Sequence, residues 1–303
     1  VPVTSEWESW LAARPKLPRF VVALHGWPDP ESSATELIQG DSREVLQALA
    51  AHLGARRCSD DLRAARREFA ELFGAANSAV WRVTEQALRT TGDALSEASA
   101  VRLAVDAAPS GSVLGLGNSL PIRDVDLYCR FSRKGLRVFA QRGANGIDGL
   151  VSGAAGVATA LSEPTTLIVG DVSLLHDVGG LWAARQVKSP LVILVIDNAG
   201  GRIFEQLPVR SWLEAHHGLS DYWLTPHGLE LSRAAELYGV RHQTARTASE
   251  LSTALRTAHE TPATTLIVAK VPPHSAMEHR RRVLELVATE IRSVLQSHPP
   301  SFV

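Results

Sequence analysis

The chain has 303 residues, of which 45% are hydrophobic and 21% charged, so it can bury a sizeable core in one large or two medium domains. Its formal net charge of −1 gives no reason to expect a nucleic-acid partner, and no apolar stretch approaches the ~18–20 residues of a membrane span. The two cysteines are far apart and lack metal-ligand spacing, and the sequence does not begin with a signal-peptide pattern; both features favour a cytoplasmic protein. The first residue is Val rather than Met, which is typical of a fragment.

The first eighty residues are predicted to be mainly helical, with one short buried strand at residues 20–24. Trp7 and Trp10 lie in a short amphipathic segment, which we expect to be a helix that packs its two indoles. Residues 42–53 should form a helix capped by Ser42, and residues 59–73 a charged amphipathic helix followed by a junction at residues 74–78. The side chains expected to face a core are Val45, Leu46, Leu49 and Leu53 in the first helix and Leu62, Phe69, Leu72 and Phe73 in the second.

From about residue 112 the pattern changes to short apolar strands that alternate with helices. One or two helices at residues 84–107 precede this part, and residues 205–226 are predicted to be a loop. The predicted strands are residues 113–117, 137–140, 166–169, 191–196, 240–244 and 264–269. Because strands and helices alternate, we predict an α/β fold with a parallel sheet that has helices on both faces.

Two polar side chains follow neighbouring apolar strands in a strand–helix–strand unit. Asp171 comes directly after the strand at 166–169, and Asn198 follows the strand at 191–196. Parallel sheets bind ligands at the edge where the strands end, and Mg²⁺ prefers oxygen ligands together with phosphate oxygens. A backbone carbonyl at Gly200 could add a third ligand, since glycine lets the main chain come close. These residues predict a site for a hard cation that carries a diphosphate, and the Ser173 hydroxyl could donate to a phosphate oxygen.

Gly170-Asp171 followed by Asn198, twenty-seven positions after the aspartate, resembles the signature of thiamine-diphosphate enzymes. In that family the Asp, the Asn and a carbonyl two residues later hold the metal that anchors the diphosphate. The usual Asn-Asn ending is Asp197-Asn198 here, a departure at the position that is not the ligand. More narrowly, stretches at residues 117–124, 141–149, 198–208 and 25–41 resemble the MenD synthases of menaquinone biosynthesis, the 2-succinyl-5-enolpyruvyl-6-hydroxy-3-cyclohexene-1-carboxylate synthases.

The resemblance implies a thiamine-diphosphate- and Mg²⁺-dependent (or Mn²⁺-dependent) transferase. Its reaction would join 2-oxoglutarate, with loss of CO₂, to isochorismate. By match, the metal ligands would be Asp171, Asn198 and the carbonyl of Gly200, and the residues near the cofactor Ser119, Ile147, Gly170 and Ser173. The residues at the substrates would be Arg123 and Arg142, which would clamp carboxylates, and Ile203, Phe204 and Leu207, which would line the apolar side of the pocket.

The resemblance covers residues 20–270 and also implies a domain organisation. Residues 1–80 would be the end of a central domain, residues 81–275 the diphosphate- and metal-binding domain, and residues 276–303 a C-terminal helix and tail. The pyrimidine-binding domain of the family, which supplies the activating glutamate, has no counterpart in this chain. We therefore expect no catalytic glutamate here, no turnover by the chain alone, and a homodimer or homotetramer of the complete protein.

Other interpretations of the same residues remain open. Asp171 could cap an ordinary helix and the residues after Asn198 could be a plain turn. Arg123 could pair with a surface carboxylate, Arg142 could be a structural loop arginine, and the apolar residues of the predicted pocket could be core. The histidines at 216, 217 and 227 have no fixed ligand spacing and are expected to bind nothing. Another thiamine-diphosphate decarboxylase or lyase, or a non-catalytic cofactor-binding module, is the alternative function.

Overall fold

The computed structural model describes residues 5–29, 31–55, 58–89, 92–130, 134–141, 146–216 and 219–298. It divides into two compact units: Val1–Ala76 together with Val294–Val303, and Asn77–Ser293. Within the described ranges, no helix combines the length and the apolar character that crossing a membrane requires. The predicted division at residue 80, between the end of a central domain and a diphosphate- and metal-binding domain, stays a prediction.

The first unit contains a small two-stranded parallel sheet with helices. Its elements are α1 (Ser5–Ala12), β1 (Phe20–Ala23), β2 (Glu36–Gln39) and α2 (Ser42–Ala55). In α1 the indoles of Trp7 and Trp10 stack with ring centroids 5.3 Å apart, as their spacing predicts. The predicted cap of α2 is off by one residue, because the Asp41 carboxylate accepts from the amides of Arg43 and Glu44 and takes that role.

The long helix α3 (Asp60–Arg89) corrects two expectations. The predicted junction at residues 74–78 is wrong, since the helix continues through Gly74, and one exposed glycine costs a helix only about 1 kcal/mol. Its predicted core side chains Phe69 and Phe73 are more than half exposed, and α2 has no buried residue. The apolar faces of α2 and of the first half of α3 are therefore largely exposed, whereas the second half of α3 buries Ala79, Thr84 and Ala87.

The second unit is built on a six-stranded, all-parallel sheet, as predicted. Its strands are β3 (Val113–Leu116), β4 (Arg137–Ala140), β5 (Thr165–Gly170), β6 (Leu191–Asp197), β7 (Arg241–Ala245) and β8 (Thr264–Lys270), in the order β4-β3-β5-β6-β8-β7. The helices are α4 (Glu97–Ala107), α5 (Leu120–Tyr128), α6 (Leu150–Leu161), α7 (Asp171–His176), α8 (Gly180–Ala184), α9 (Arg210–Ala215), α10 (Ser232–Tyr238), α11 (Ala248–His259) and α12 (Ser275–Ser297). The predicted loop at 205–226 is wrong in part, because this segment contains α9, the end of a 3₁₀ turn at Arg202–Gln206 and a π turn at Leu219–Leu224.

Two apolar layers cover the two faces of this sheet. Every residue of β6 is buried, and successive side chains point to opposite faces. Val192, Leu194 and Ile196 pack with α4 and α11, whereas Leu191 and its alternates pack with α6, α8 and α10. A strand that is apolar on both faces is typical of a parallel sheet between helical layers, which explains the uninterrupted apolar run in the sequence.

The strand order places a crevice between the ends of β3 and β5. Strand β3 pairs with β4 on one side and with β5 on the other. The chain therefore leaves β3 toward one edge of the sheet and leaves β5, through α7 and α8, toward the other. The loops diverge at this point, which is where open α/β sheets bind ligands.

Candidate functional site

A cavity of about 340 Å³ lies at the carboxyl edge of the sheet, over the crevice between β3 and β5. That volume is in the range of small-molecule sites. The lining residues that follow β3 are Asn118, Ser119, Leu120, Pro121, Arg123 and Asp124; those around the ends of β5 and β6 are Gly170, Asp171, Val172, Ser173, Ile196, Asn198, Gly200, Gly201, Arg202, Ile203 and Phe204; and Glu97, Ile147, Trp223 and Thr225 complete the wall. Three strand ends therefore converge on one space.

Asp171 stands at the first position of α7 and is almost completely buried. Its Oδ1 accepts a hydrogen bond from the Val172 amide at 2.7 Å, and its Oδ2 accepts from the Gly200 amide at 2.7 Å. Burial raises the pKa of this carboxyl, and the Asp197 charge raises it slightly further. The hydrogen bonds from the two amides and from His227 lower the pKa and so oppose this shift. A nearby cation would stabilise the ionised form.

Asn198 follows β6 and is also buried. Its Nδ2 donates to Glu97 Oε1 at 2.7 Å, across 101 residues of sequence. Its Oδ1 is buried and has no hydrogen-bond partner. Buried polar atoms are normally satisfied, so an orphaned amide oxygen beside a buried carboxylate points to a ligand that supplies the missing partner.

The loop after Asn198 has a backbone that few residues adopt. Ala199 has φ +61° and Gly200 has φ +128°, and a Cβ on Gly200 would lie 2.1 Å from the Leu224 carbonyl oxygen. Glycine is therefore required at position 200 both by conformation and by the close approach of another backbone segment. The Gly200 carbonyl, the predicted third metal ligand, accepts from the Arg202 amide at 2.9 Å and keeps a second lone pair.

Arg202 holds this loop from the inside. Its Nε donates to the Asn198 carbonyl at 3.2 Å, and its Nη1 lies 2.8 Å from Glu205 Oε1. Both side chains of this ion pair are buried. The pair thus fixes the turn that carries the predicted metal ligands.

The loop after β3 is strained in a similar way. Ser119 has φ +75° and ψ −132°, a conformation that non-glycine residues rarely hold unless the surroundings impose it. The preceding Asn118 is buried, donates through Nδ2 to the carbonyls of Gln141 and Gly146, and has an unpartnered Oδ1. A second orphaned amide oxygen and a strained backbone therefore lie at the same cavity.

The structure brings most of the sequence-predicted residues together. Ser119, Arg123, Ile147, Gly170, Asp171, Ser173, Asn198, Gly200, Ile203 and Phe204 all line the cavity. Leu207 is not among the lining residues and is 38% exposed at the end of the 3₁₀ turn. Arg142 lies outside the described residues. The predicted roles of these side chains stay predictions.

Two acidic residues of the cavity have no sequence motif. Glu97 and Asp124 are both buried in the wall, and each carboxyl affects the pKa of the other. Burial raises the pKa of Glu97 to about 7, and burial together with the Glu97 charge raises the pKa of Asp124 well above its ordinary value. A glutamate in the first turn of an amphipathic helix is typical of a surface residue, so nothing local could have identified Glu97.

The expectation that the histidine-rich segment binds nothing stays a prediction, but His227 lies against the Asp171 carboxylate. Its Nε2 lies 3.2 Å from Asp171 Oδ2 and 4.0 Å from Asp197 Oδ1, and the three side chains form a compact group that could hold a cation. Lys270 Nζ lies 2.6 Å from Asp197 Oδ2 and already supplies a positive charge there. We therefore interpret His227 as a hydrogen-bond donor that orients Asp171.

The donor set suits a hard divalent cation. Asp171 offers a carboxylate, Asn198 an unpartnered amide oxygen and Gly200 a carbonyl, all at the cavity wall. Mg²⁺ is bound by one or two such groups together with phosphate oxygens and water. The residues present therefore fit a magnesium diphosphate, and the positive φ angles of Ser119 and Ala199 turn both loops at the cavity wall.

Comparison with known proteins agrees with this geometry. Residues 126–269 match the family model described as thiamine pyrophosphate enzyme, C-terminal TPP binding domain. The chain is 40% identical over 300 residues to the 2-succinyl-5-enolpyruvyl-6-hydroxy-3-cyclohexene-1-carboxylate synthase of Sorangium cellulosum (strain So ce56), covering 97% of this chain and 47% of that protein. It is 32% identical over 295 residues to the synthase of the same name from Roseiflexus sp. (strain RS-1), covering 96% and 48%.

The chain thus spans about half the length of the curated relatives it matches. Among solved structures, a benzoylformate decarboxylase from Polynucleobacter necessarius is 20% identical, with a TM-score of 0.49 over 59% of this chain and 34% of that chain.

Proposed function

Because this chain belongs to the thiamine-diphosphate enzyme family and corresponds to the C-terminal portion of its MenD synthases, we propose that it forms the metal- and diphosphate-binding part of such a synthase. The complete enzyme would condense 2-oxoglutarate, with loss of CO₂, with isochorismate in menaquinone biosynthesis. When bound, thiamine diphosphate supplies the carbanion chemistry that decarboxylation of a 2-oxo acid needs.

One observation carries the proposal: the buried carboxylate of Asp171 and the orphaned Oδ1 of Asn198 belong to the wall of one cavity at the switch point of the sheet. An ordinary strand–helix–strand unit has no reason to bury an unsatisfied amide oxygen there, since the group loses its hydrogen bonds to water. A Mg²⁺ or Mn²⁺ ion would satisfy both groups.

The residues of this chain would bind and orient rather than exchange protons. Asp171, Asn198 and the Gly200 carbonyl would hold the metal, while the buried Ser173 hydroxyl would donate to a diphosphate oxygen. Ser119 and Gly170 would lie against the diphosphate, and Ile147, at the cavity wall, would support the bent shape of the cofactor.

The substrate side of the cavity would be formed by Arg123 and an apolar wall. Arg123 lines the cavity and donates through Nη1 to the Ser119 carbonyl at 2.7 Å, and its guanidinium would meet a substrate carboxylate there. Ile203 and Phe204 supply the wall, and the Phe204 ring meets Trp223 edge-on with centroids 5.0 Å apart. Arg142 would be the second carboxylate clamp.

Activation of the cofactor would come from a glutamate outside this chain. Glu97 is the glutamate in the cavity wall, but it is bonded to Asn198, at the end proposed for the metal rather than the aminopyrimidine. We therefore propose that the chain alone binds the cofactor without turnover, and that the complete enzyme is a homodimer or homotetramer.

The test is a calorimetric titration of thiamine diphosphate in the presence of Mg²⁺ on the native chain and on Asp171→Ala. The native chain is expected to bind only when the metal is present, and Asp171→Ala to lose that binding. Asp177→Ala is the matched control, because Asp177 is a nearby acid whose oxygens accept from the amide and hydroxyl of Ser152 instead of lining the cavity.

Equal binding by the native chain and Asp171→Ala, or no binding by the native chain, would refute the proposed site. Turnover of 2-oxoglutarate and isochorismate by the isolated chain would refute the proposal that the activating glutamate lies outside this chain.

A further inference from the structure

Glu97 is held rigidly at the start of α4. Ser96 and Ser99 form a reciprocal capping box around it, in which each serine hydroxyl accepts from the backbone amide of the other residue. The Glu97 side chain is 3% exposed, and its Oε1 accepts the Asn198 Nδ2–H at 2.7 Å. The position of this carboxylate is therefore set by a helix terminus, independently of the loop that carries Asn198.

A carboxylate neighbour decides which way an asparagine amide points. The Asn198 carboxamide has one accepting end and one donating end of nearly equal size, so packing alone does not choose between its two orientations. Glu97 Oε1 offers only lone pairs, and turning the amide over would bring Oδ1 against Oε1. The amide must donate to Glu97, which leaves Oδ1 directed to the other side, where it is buried and unpartnered.

We propose that Glu97 is a positioning residue that fixes the Asn198 carboxamide with its Oδ1 turned toward the divalent cation. The orientation itself is a property of the metal-free chain, whereas its consequence for the metal rests on the function proposed above. Glu97 touches neither the cation nor the diphosphate in this role and acts only through Asn198.

The orientation is tested first, without metal, by NMR on the chain labelled with ¹⁵N in its asparagine side-chain amides. The chain has four asparagines, at positions 77, 118, 145 and 198, so four amide pairs appear, and Asn198→Asp assigns one of them. In the native chain one Asn198 proton should be shifted downfield and protected from exchange by its hydrogen bond to the buried Glu97 Oε1. Glu97→Ala should abolish both effects and leave the Asn118 pair unchanged; an Asn198 pair that Glu97→Ala does not move would overturn the proposal.

The consequence for the metal is tested by Mn²⁺ titration in the presence of thiamine diphosphate. The isosteric Glu97→Gln lets the amide of Asn198 turn over, and we expect metal affinity to fall roughly tenfold or more, the usual cost of losing a partner that orients a ligand. The double variant Glu97→Gln with Asn198→Asp reverses the bond, since the introduced glutamine amide would donate to the introduced carboxylate, and keeps the total charge of the native pair. It should recover most of the lost affinity.

A merely structural glutamate would give a different pattern, in which the double variant binds no better than Glu97→Gln. If native chain and Glu97→Gln bind Mn²⁺ equally, the positioning role is wrong while the proposed function stands. If the native chain binds no Mn²⁺, the proposed function fails, and the NMR experiment still decides whether Glu97 orients Asn198.

Discussion

Substitution of Gly200 by alanine is expected to destabilise the second unit strongly. The added Cβ would lie 2.1 Å from the Leu224 carbonyl oxygen, which is backbone and has no rotamer to change. The segment opposite is itself constrained, because Thr225 has φ +45° and Leu224 is packed with Leu213. Neither side of the contact can give way cheaply.

The magnitude follows from three costs. Holding alanine at the φ of +128° costs about 1–3 kcal/mol. Moving the two segments apart adds an overpacking cost of about 1–3 kcal/mol. It also breaks the bond that the Gly201 amide donates to the Leu224 carbonyl at 2.7 Å, worth about 1 kcal/mol net. Together these costs should lower the free energy of unfolding by about 3–7 kcal/mol, a large part of what a domain of this size has.

Gly156→Ala is the matched control for this substitution. Gly156 is exposed inside α6, and a Cβ there would meet nothing within 4 Å. The same chemical change should stabilise the chain by about 0.5–1 kcal/mol, because alanine is the better helix former. Urea unfolding of the native chain and both variants measures the two effects. A loss below about 1 kcal/mol for Gly200→Ala, or equal effects of the two substitutions, would show that the contact with the Leu224 carbonyl does not require glycine at position 200.

Two further predictions concern buried charges. Burial lowers the pKa of His259 from 6.5 to about 4. Between these two pH values the unfolded chain is protonated at His259 and the folded chain is not, so the folded state loses stability as the pH falls. Because His259 is partly exposed, we expect a reduced effect: between pH 7 and pH 4 the free energy of unfolding of the native chain should fall by about 2 kcal/mol more than that of His259→Gln. Urea unfolding at both pH values measures this difference, and parallel pH profiles of the two chains would contradict it. Glu205→Ala leaves the Arg202 guanidinium buried without its carboxylate and should cost about 3–5 kcal/mol, whereas Glu205→Leu combined with Arg202→Met should cost much less; equal losses in thermal unfolding would show that packing, not the lost charge partner, decides the effect.

The parallel sheet and its ligand edge could be predicted because their signals are local. The apolar runs that become β5 and β6 are continuous, and Asp171 and Asn198 directly follow them. Parallel pairing then requires that both side chains reach the same edge, whatever the rest of the chain does. The family motif, in which twenty-seven positions separate the Asp from the Asn, fits within this single unit.

Helical periodicity was a poorer guide to burial. The apolar residues of α2 and α3 recur with helical spacing, and both helices form, but Leu46, Phe69 and Phe73 remain more than half exposed. Helical spacing of apolar residues predicts that a helix has one apolar face. It does not predict which other element, if any, packs against that face.

The sheet, its ligand edge and the place of two oxygen-bearing side chains could be predicted because each depends on residues within one strand–helix–strand unit. The orientation of those side chains depends on contacts with residues that are distant along the chain. Glu97 lies 101 residues before Asn198, and His227 lies 56 residues after Asp171. Their contacts arise because the strand order brings the ends of β3, β5 and β6 to one cavity, with α4 packed beside them. That order is set by the packing of the whole sheet, and no spacing along the chain records it.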